Sequence, residues 1–219
     1  MPRLLFEKTG SAVWMSHLDL MRLFQRAFKR AELPLTHTQG FNPRPSVSIA
    51  LPLPVGVESV CELLDFDLEG EKVEAETLCR RLNAALVPGV RVLECYDDGR
   101  KIRDLALLRC VLGLEYDQGI PQGAKEAIAG LLSREELLME KKSKKGTVEQ
   151  DIRPMILEAA VRQAGEKELS LEVLITCQNP SLNPSLISGA IAKYLPEFAP
   201  DFVTYRREEI YDQQKNSFR

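Results

Sequence analysis

The sequence predicts an α+β fold made of two ferredoxin-like units in tandem, with antiparallel sheets that carry their helices on one face. Short apolar strands alternate with amphipathic helices in the order β-α-β-β-α-β over residues 1–98. The polar run at residues 97–101 interrupts this pattern, and a similar order then returns with one extra strand. We therefore expect two domains, residues 1–98 and 99–219, that share element order without a residue-level repeat.

The elements of the first half follow from hydrophobic spacing and turn residues. Residues 3–8 are a short apolar-rich run that ends at Thr9 and Gly10, which is typical of a strand. Residues 16–31 place apolar side chains at helical spacing, and Pro34 lies just beyond them. The remaining predicted elements are strands at 47–51, 60–68 and 90–96 and a helix at 73–86.

The second half is predicted in the same way, with its region 140–155 the least defined. Pro121 suits the first turn of a helix, and residues 164–167 have the composition of a hairpin turn. The predicted elements are strands at 105–115, 137–142, 152–163, 168–176 and 202–210 and helices at 121–132 and 184–195.

Composition limits the possible functions. Hydrophobic residues at 44% and charged residues at 28% are ordinary for a globular protein, and a net charge of −3 gives no global basic field. The five cysteines lack C-x-x-C spacing, so reduced thiols rather than a cluster or disulfides are expected. Signal-peptide, transmembrane and cofactor motifs are not found, so we expect a cytoplasmic protein that contacts no membrane and holds neither metal nor cofactor.

The helix at residues 16–31 carries four cations on one face. At about 100° per residue the cations fall in one narrow sector, and they are Arg22, Arg26, Lys29 and Arg30. The apolar residues opposite them are Leu20, Phe24, Ala27 and Ala31. Clustered cations suit phosphate, carboxylate or an RNA backbone. The alternative is an ordinary solvated helix, because arginine and lysine are good helix formers.

The residues at the start of this helix allow either a catalytic or a structural interpretation. Ser16 and Asp19 have the spacing of a capping box, which would satisfy free N–H groups of the first turn. His17 lies nearer the apolar face, which favours a packed or hydrogen-bonded histidine over a general acid or base. We therefore favour capping.

The segment at residues 36–46 predicts a stiff loop. Its two prolines push the preceding residues Asn42 and Arg44 toward extended conformations. Phe41 could stack on a base or fill the core, and Asn42 could read a base-like edge. Together with His37, these residues form a candidate binding loop beside the helix, the alternative being a strand-entry loop with its own turn chemistry.

Several segments carry a resemblance to a known family. They are W-M-S-H-L-D-L-M-R, R-A-F-K-R-A-E-L-P, G-F-N-P-R-P, A-L-P-L-P-V-G and E-S-V-C-E in the first half, then K-K-G with D-I-R-P and Y-R-R-E-E-I-Y. Their order over nearly the whole chain resembles the radical-SAM-associated, or radical-SAM-linked, family with the DUF2344 domain.

The resemblance implies an accessory module, because members of that family are fused to, or encoded beside, a radical SAM protein. The partner would carry out the chemistry, and this chain would present a substrate, with tRNA or rRNA as the candidate. Arg153 in D-I-R-P and the lysines of residues 141–145 would extend the binding surface. An ion pair of Arg153 with Asp151 and a solvated hairpin tip are the structural alternatives.

Two other functions stay open at the level of sequence. Tandem ferredoxin-like units resemble CRISPR repeat endoribonucleases of the Cas6 type, in which His17 or His37 could act as general acid or base. The glycine-rich C-terminal motif of those enzymes is not found here. A structural assembly factor with an apolar interface is the third possibility. The sequence favours a non-catalytic binding module.

Overall fold

The computed structural model describes residues 2–97, 99–143 and 146–219, with backbone only for 141–143. The chain divides by its internal contacts into two compact units. Unit 1 extends to Asp104 and also contains Phe218 and Arg219, whereas unit 2 is Leu105–Ser217. The division thus falls later than the predicted boundary after residue 98, because the 3₁₀ helix Ile102–Asp104 belongs to unit 1.

The last two residues lie in unit 1 because Phe218 is buried there. Its ring lies 5.7 Å from the guanidinium carbon of Arg3 and 4.6 Å from that of Arg100. The backbone N–H of Arg100 also donates to the carbonyl of Arg219. The predicted second domain, which ran to residue 219, therefore loses its last two residues to unit 1.

Unit 1 has the predicted element order within its described residues. Its elements are β1 (Arg3–Lys8), α1 (His17–Arg30), β2 (Val47–Ile49), β3 (Val57–Phe66), α2 (Ala75–Ala85) and β4 (Val90–Tyr96), with a 3₁₀ helix, Gly10–Trp14, before α1. β1 pairs with both β3 and β4, and β2 pairs with β3, all antiparallel. The order across these strands is therefore β4-β1-β3-β2.

Both helices of unit 1 pack against one apolar cluster. It is formed by alternate residues of the strands and by one face of each helix: Leu4, Phe6, Leu64, Phe66, Val90, Val92, Leu20, Phe24, Ala27, Phe28, Leu78 and Leu82. The rings of Phe6 and Phe24 pack edge to face, with 4.7 Å between their centroids. This packing fixes which side of α1 faces solvent.

Unit 2 repeats the strand order with a hairpin added. Its elements are β5 (Leu105–Glu115), α3 (Ala124–Leu132), β6 (Leu138–Ser143), β7 (Gly146–Asp151), β8 (Ile156–Gln163), β9 (Glu168–Thr176), α4 (Ser185–Tyr194) and β10 (Phe202–Asp212). The antiparallel order is β10-β5-β9-β8, while β6 and β7 pair only with each other among the described strands. The predicted α+β class with a mainly antiparallel sheet is confirmed.

The predictions miss β7, whose residues are mostly polar and exposed. Strand formation there depends on pairing with β6 rather than on alternating hydrophobic residues. The strand predicted at 152–163 begins only at Ile156, because the 3₁₀ helix Arg153–Met155 precedes it. α3 begins at Ala124 instead of residue 121, since Gly123 before it has a positive φ of 84°.

The ammonium group of Lys8 is fully buried at the end of β1. Its Nζ donates to the carbonyls of Val13, Met15 and Pro54 at 3.1, 3.2 and 3.2 Å. Three segments therefore meet at one cation: the end of β1, the entry to α1, and the proline-rich connection before β3. A buried charge is tolerated only when it is well hydrogen-bonded, as this one is.

We expect Lys8→Met to lower the free energy of unfolding by roughly 3 kcal/mol, because buried carbonyls would lose their donor. Lys29→Met is the matched control on an exposed lysine, and we expect it to stay within about 0.5 kcal/mol. Urea denaturation followed by circular dichroism measures both. Equal stability of the two variants would contradict the structural role of the Lys8 ammonium.

Gly89 brings the turn before β4 against the end of β1. The N–H of Thr9 donates to the carbonyl of Gly89 at 2.7 Å. A Cβ on Gly89 would lie 2.4 Å from the carbonyl oxygen of Thr9 and 2.9 Å from Cβ of Ala12. Its φ of +86° adds a conformational preference for glycine.

Gly89→Ala should destabilise unit 1 more than Gly70→Ala does, by about 2 kcal/mol. Both glycines have φ near +85°, but nothing lies within 4 Å of a Cβ on Gly70. The difference between the two variants therefore isolates the steric clash from the backbone strain. Thermal unfolding of both variants measures it, and identical melting temperatures would contradict the close approach at Gly89.

Candidate functional site

α1 begins with the predicted cap. The hydroxyl of Ser16 accepts from the N–H of Asp19 at 3.2 Å and donates to its carboxylate at 2.7 Å. This hydrogen bond, followed by the nearby charge of Arg22, lowers the pKa of Asp19. The N-cap role of Ser16 is confirmed, whereas the Asp19 carboxylate accepts from the Ser16 hydroxyl and from Arg22.

The two faces of α1 differ as the spacing predicts. The buried residues of the helix are Leu20, Phe24, Ala27 and Phe28. The four predicted cations, Arg22, Arg26, Lys29 and Arg30, are all exposed. Asp19 is the single acidic residue of the helix, so the outer face is strongly cationic. We call Arg22, Arg26 and Lys29 the basic face.

The four cations are engaged to different degrees. Arg22 lies 3.4 Å from the carboxylate of Asp19. Arg30 donates to the carbonyl of Ala85 at the end of α2, at 2.7 Å, so its guanidinium joins the two helices. In the described part of the chain, the side chains of Arg26 and Lys29 have neither a hydrogen bond nor an ion pair. These two are the cations most available to an anionic ligand.

The loop at residues 36–46 is held at its base by paired hydrogen bonds. The N–H of Thr38 donates to the carbonyl of Arg44 at 2.8 Å, and the N–H of Arg44 donates to the Thr38 hydroxyl at 3.0 Å. Phe41 is fully exposed at 102%, so it does not fill the core. Asn42 and Arg44 are exposed too. The loop therefore presents its ring, amide and guanidinium to solvent.

The two histidines occupy different environments. His37 is exposed in the loop, with Nδ1 3.9 Å from the carboxylate of Glu69. His17 is half-buried at the start of α1, and its Nδ1 is buried without a hydrogen-bond partner among the described residues. His17 is thus a packed side chain, as its position near the apolar face predicts.

The structure shows no direct link between the basic face and the loop. Over residues 2–97, the side chains of the basic face share neither a hydrogen bond nor an ion pair with those of the loop at residues 36–46. Arg30 reaches toward α2, whereas His37 lies close to Glu69, just beyond β3. Joint contact with one ligand is therefore part of the proposal below.

Arg153 lies in unit 2 and is engaged in local structure. Its guanidinium donates to the carbonyls of Arg134 and Ile156 at 3.0 and 2.6 Å. Asp151 accepts from the backbone N–H groups of Leu137 and Arg153, so the two side chains support the backbone instead of pairing with each other. The predicted lysine surface at 141–145 lies outside the described side chains.

Sequence reasoning missed Trp14 as a surface residue. Trp14 is 68% exposed, and Leu18, four residues later, is 64% exposed. The available signal was that Trp14 is the single tryptophan and stands just before the Ser16 cap. An aromatic residue at that place is more often buried, so the sequence alone did not indicate its exposure.

Unit 1 also contains a cavity of about 270 Å³ at the start of α2. Cys95 and Tyr96 line it, and burial raises the pKa of the Cys95 thiol to about 12 and that of the Tyr96 hydroxyl above its usual range. Both groups stay protonated at neutral pH, so neither is a ready nucleophile. Lys72 and Asp97, also in the lining, form an ion pair.

Neither a metal cluster nor a membrane-spanning helix is found in the described regions. No group of three or more His, Cys, Asp or Glu side chains there is placed to hold a metal ion. None of the described helices has the length and apolarity needed to cross a bilayer.

The fold and this surface define a mixed α+β protein with an exposed basic helix. The chain belongs to a family described as an uncharacterised protein conserved in bacteria (DUF2344), whose model matches residues 2–184. Comparison with curated proteins finds no match.

Comparison with solved structures finds matches at low sequence identity. The match to a chain of a Cbf5–Nop10–Gar1 complex covers 95% of this chain and 48% of the other, at 11% sequence identity and a TM-score of 0.54. The match to a chain of an archaeal box H/ACA sRNP Nop10–Cbf5 complex covers 94% of this chain and 46% of the other, at 10% sequence identity and a TM-score of 0.43. The match to an unknown protein from Galdieria sulphuraria covers 94% of this chain and 96% of the other, at 12% sequence identity and a TM-score of 0.27. The chain spans about half the length of the first two, and the likeness to the first concerns the fold alone.

We expect Ser16→Ala to raise the pKa of Asp19, because the Ser16 hydroxyl is the main cause of its lowering. Arg22→Ala is the control and should raise it less. Since the folded-state pKa lies below the unfolded-state value, ionised Asp19 stabilises the fold above the unfolded pKa, and this contribution is lost as the pH falls through the folded value. Titration of the Asp19 carboxyl by NMR measures the change, and an unaltered pKa in Ser16→Ala would refute the assignment.

Proposed function

We propose that this chain is a non-catalytic accessory module that holds an RNA substrate for a radical SAM enzyme, with the basic face of α1 as its main contact. The observation that carries the proposal is the exposure of Arg26 and Lys29, which have no partner in the described part of the chain. Arg22 lies on the same face and has only an exposed contact with Asp19.

Cations of this kind suit a phosphate backbone. Guanidinium groups bind phosphate oxygens through two parallel donors, and each neutralised phosphate releases counterions. Since the chain has a net charge of −3, binding depends on the local face and not on a global field. Affinity should therefore fall steeply as salt rises.

The loop at residues 36–46 would add contacts beyond the phosphates. Phe41 can stack on an unpaired base, and Asn42 and Arg44 can donate to base edges or phosphates. The hydrogen bonds between Thr38 and Arg44 keep its base ordered, which reduces the entropy lost on binding. His37 stands at the same base. In this proposal Arg30 and Arg153 support structure, because both donate to backbone carbonyls.

The finer fold assignment also belongs to the proposal. Each unit has the element order β-α-β-β-α-β when the β6–β7 hairpin is set aside, with its fourth, first, third and second strands adjacent. We class each as ferredoxin-like on that basis. Such units present helices and loops on a stable sheet, which suits a binding module.

The radical SAM partner rests on the motif resemblance. Co-purification of the full chain with the radical SAM protein encoded beside it tests that part. A complex that survives gel filtration supports it, whereas failure to associate at micromolar concentrations removes the partner and leaves the RNA contact to be judged separately.

We expect the double variant Arg26→Glu/Lys29→Glu to weaken RNA binding by at least about tenfold at low salt and to reduce the salt slope by about two. Two phosphate contacts are lost and two repulsive charges are introduced. Filter binding with structured tRNA over a range of salt concentrations measures both quantities.

Arg80→Glu/Arg91→Glu is the matched control for that variant. Both arginines are exposed in unit 1, on α2 and β4, and the change in net charge is the same. We expect this control to bind almost as tightly as the unaltered chain. An equal loss in the two double variants would show that total charge, not the basic face, governs binding.

A further inference from the structure

We propose that Trp14 is a stacking platform for an unpaired nucleobase, so that the RNA crossing the start of α1 is single-stranded. The inference rests on the proposed RNA-binding function and adds the class of RNA that the surface takes.

Exposure is the first observation. Trp14 is the single tryptophan of the chain, and 68% of its surface is open to solvent. Two other apolar side chains near it in the fold, Leu18 and Val55, are 64% and 53% exposed. An indole left open in this way on an ordered element is typical of a contact surface.

Hydrogen bonds to the neighbouring backbone fix the position of the segment that carries Trp14. The ammonium of Lys8 binds the carbonyls of Val13 and Met15, the two residues that flank Trp14. The N–H of Gly56 also donates to the Val13 carbonyl at 2.8 Å. A Cβ on Gly56 would lie 3.7 Å from the indole, so the ring lies close to this glycine. A ring positioned in advance loses little entropy when a base stacks on it.

The basic face lies on the helix that begins three residues after Trp14. Leu18 precedes Arg22 by one helical turn on the same side of α1, and Lys29 lies about 16 Å beyond Leu18 at 1.5 Å per residue. A surface that binds single strands combines an aromatic ring, on which a base stacks, with cations that contact the backbone. Trp14 would supply the ring, and the basic face would supply the cations.

Charge and area favour a nucleic acid over a protein at this place. A protein partner of ordinary affinity buries about 800 Å² on each side, which three scattered apolar side chains next to cations do not provide. A polyanion matches the cations, and a base needs only one ring face. A duplex would satisfy the cations but hides its base faces, so it cannot use Trp14.

Intrinsic fluorescence gives a direct test, because all tryptophan emission comes from Trp14. We expect an unstructured single-stranded RNA oligonucleotide to quench this emission on binding. A duplex of the same sequence and inorganic polyphosphate of equal charge should bind through the cations without quenching. Quenching by polyphosphate equal to that by RNA would overturn the stacking proposal.

Variants provide the second measurement. Trp14→Ala should weaken binding of the single strand by about tenfold while leaving duplex affinity unchanged, and Trp14→Phe should keep most of the affinity. Phe202→Ala, at an exposed aromatic residue of unit 2, is the control and should change neither. Circular dichroism checks that the variants fold.

The remaining outcomes separate this inference from the proposed function. RNA binding that is sensitive to Arg26→Glu/Lys29→Glu but insensitive to Trp14→Ala overturns the stacking role and leaves the proposed function in place. No RNA binding by the unaltered chain overturns both. A concentration-dependent dimer that Trp14→Ala abolishes would assign the platform to contact between copies of the chain, which also overturns the inference.

Discussion

The buried ammonium of Lys8 is the interaction on which the candidate surface of unit 1 depends. Its three carbonyl partners belong to the entry to α1 and to the proline-rich connection before β3. Val13 lies in the 3₁₀ helix before α1, whereas Met15 and Pro54 lie outside the named helices and strands. By donating to all three carbonyls, Lys8 ties the residues on either side of Trp14 to the end of β1.

The orientation of the basic face of α1 follows from the position of the helix and from the packing of its apolar side against the core. Leu20, Phe24 and Phe28 pack into the apolar cluster of unit 1, which leaves one orientation of the helix about its axis. Arg22, Arg26 and Lys29 are then exposed without any need for a ligand to hold them. The same packing that stabilises unit 1 therefore creates the basic face, and a chain with net negative charge gains a local cationic surface.

Arginines of this chain have different roles according to their position in the fold. Arg26 and Arg30 are one turn apart on α1, yet Arg30 binds the carbonyl at the end of α2. Arg153 similarly supports two carbonyls in unit 2. Arginine donates well to unpaired carbonyls at the ends of helices and turns, so a sequence rich in arginine contains both structural and available cations. Only the contacts distinguish the two kinds.

Local spacing and turn chemistry are enough to predict the α+β class, the Ser16 cap, the two faces of α1 and the bounds of β1, β4, β5 and β9. It did not determine β7, whose polar residues become a strand by pairing with β6. The exposure of Trp14, the burial of Lys8 and the contacts of Arg30 and Arg153 follow only from the folded chain. Lys8 donates to a carbonyl 46 residues away, Arg30 to one 55 residues away and Arg153 to one 19 residues away, and only folding brings these atoms near.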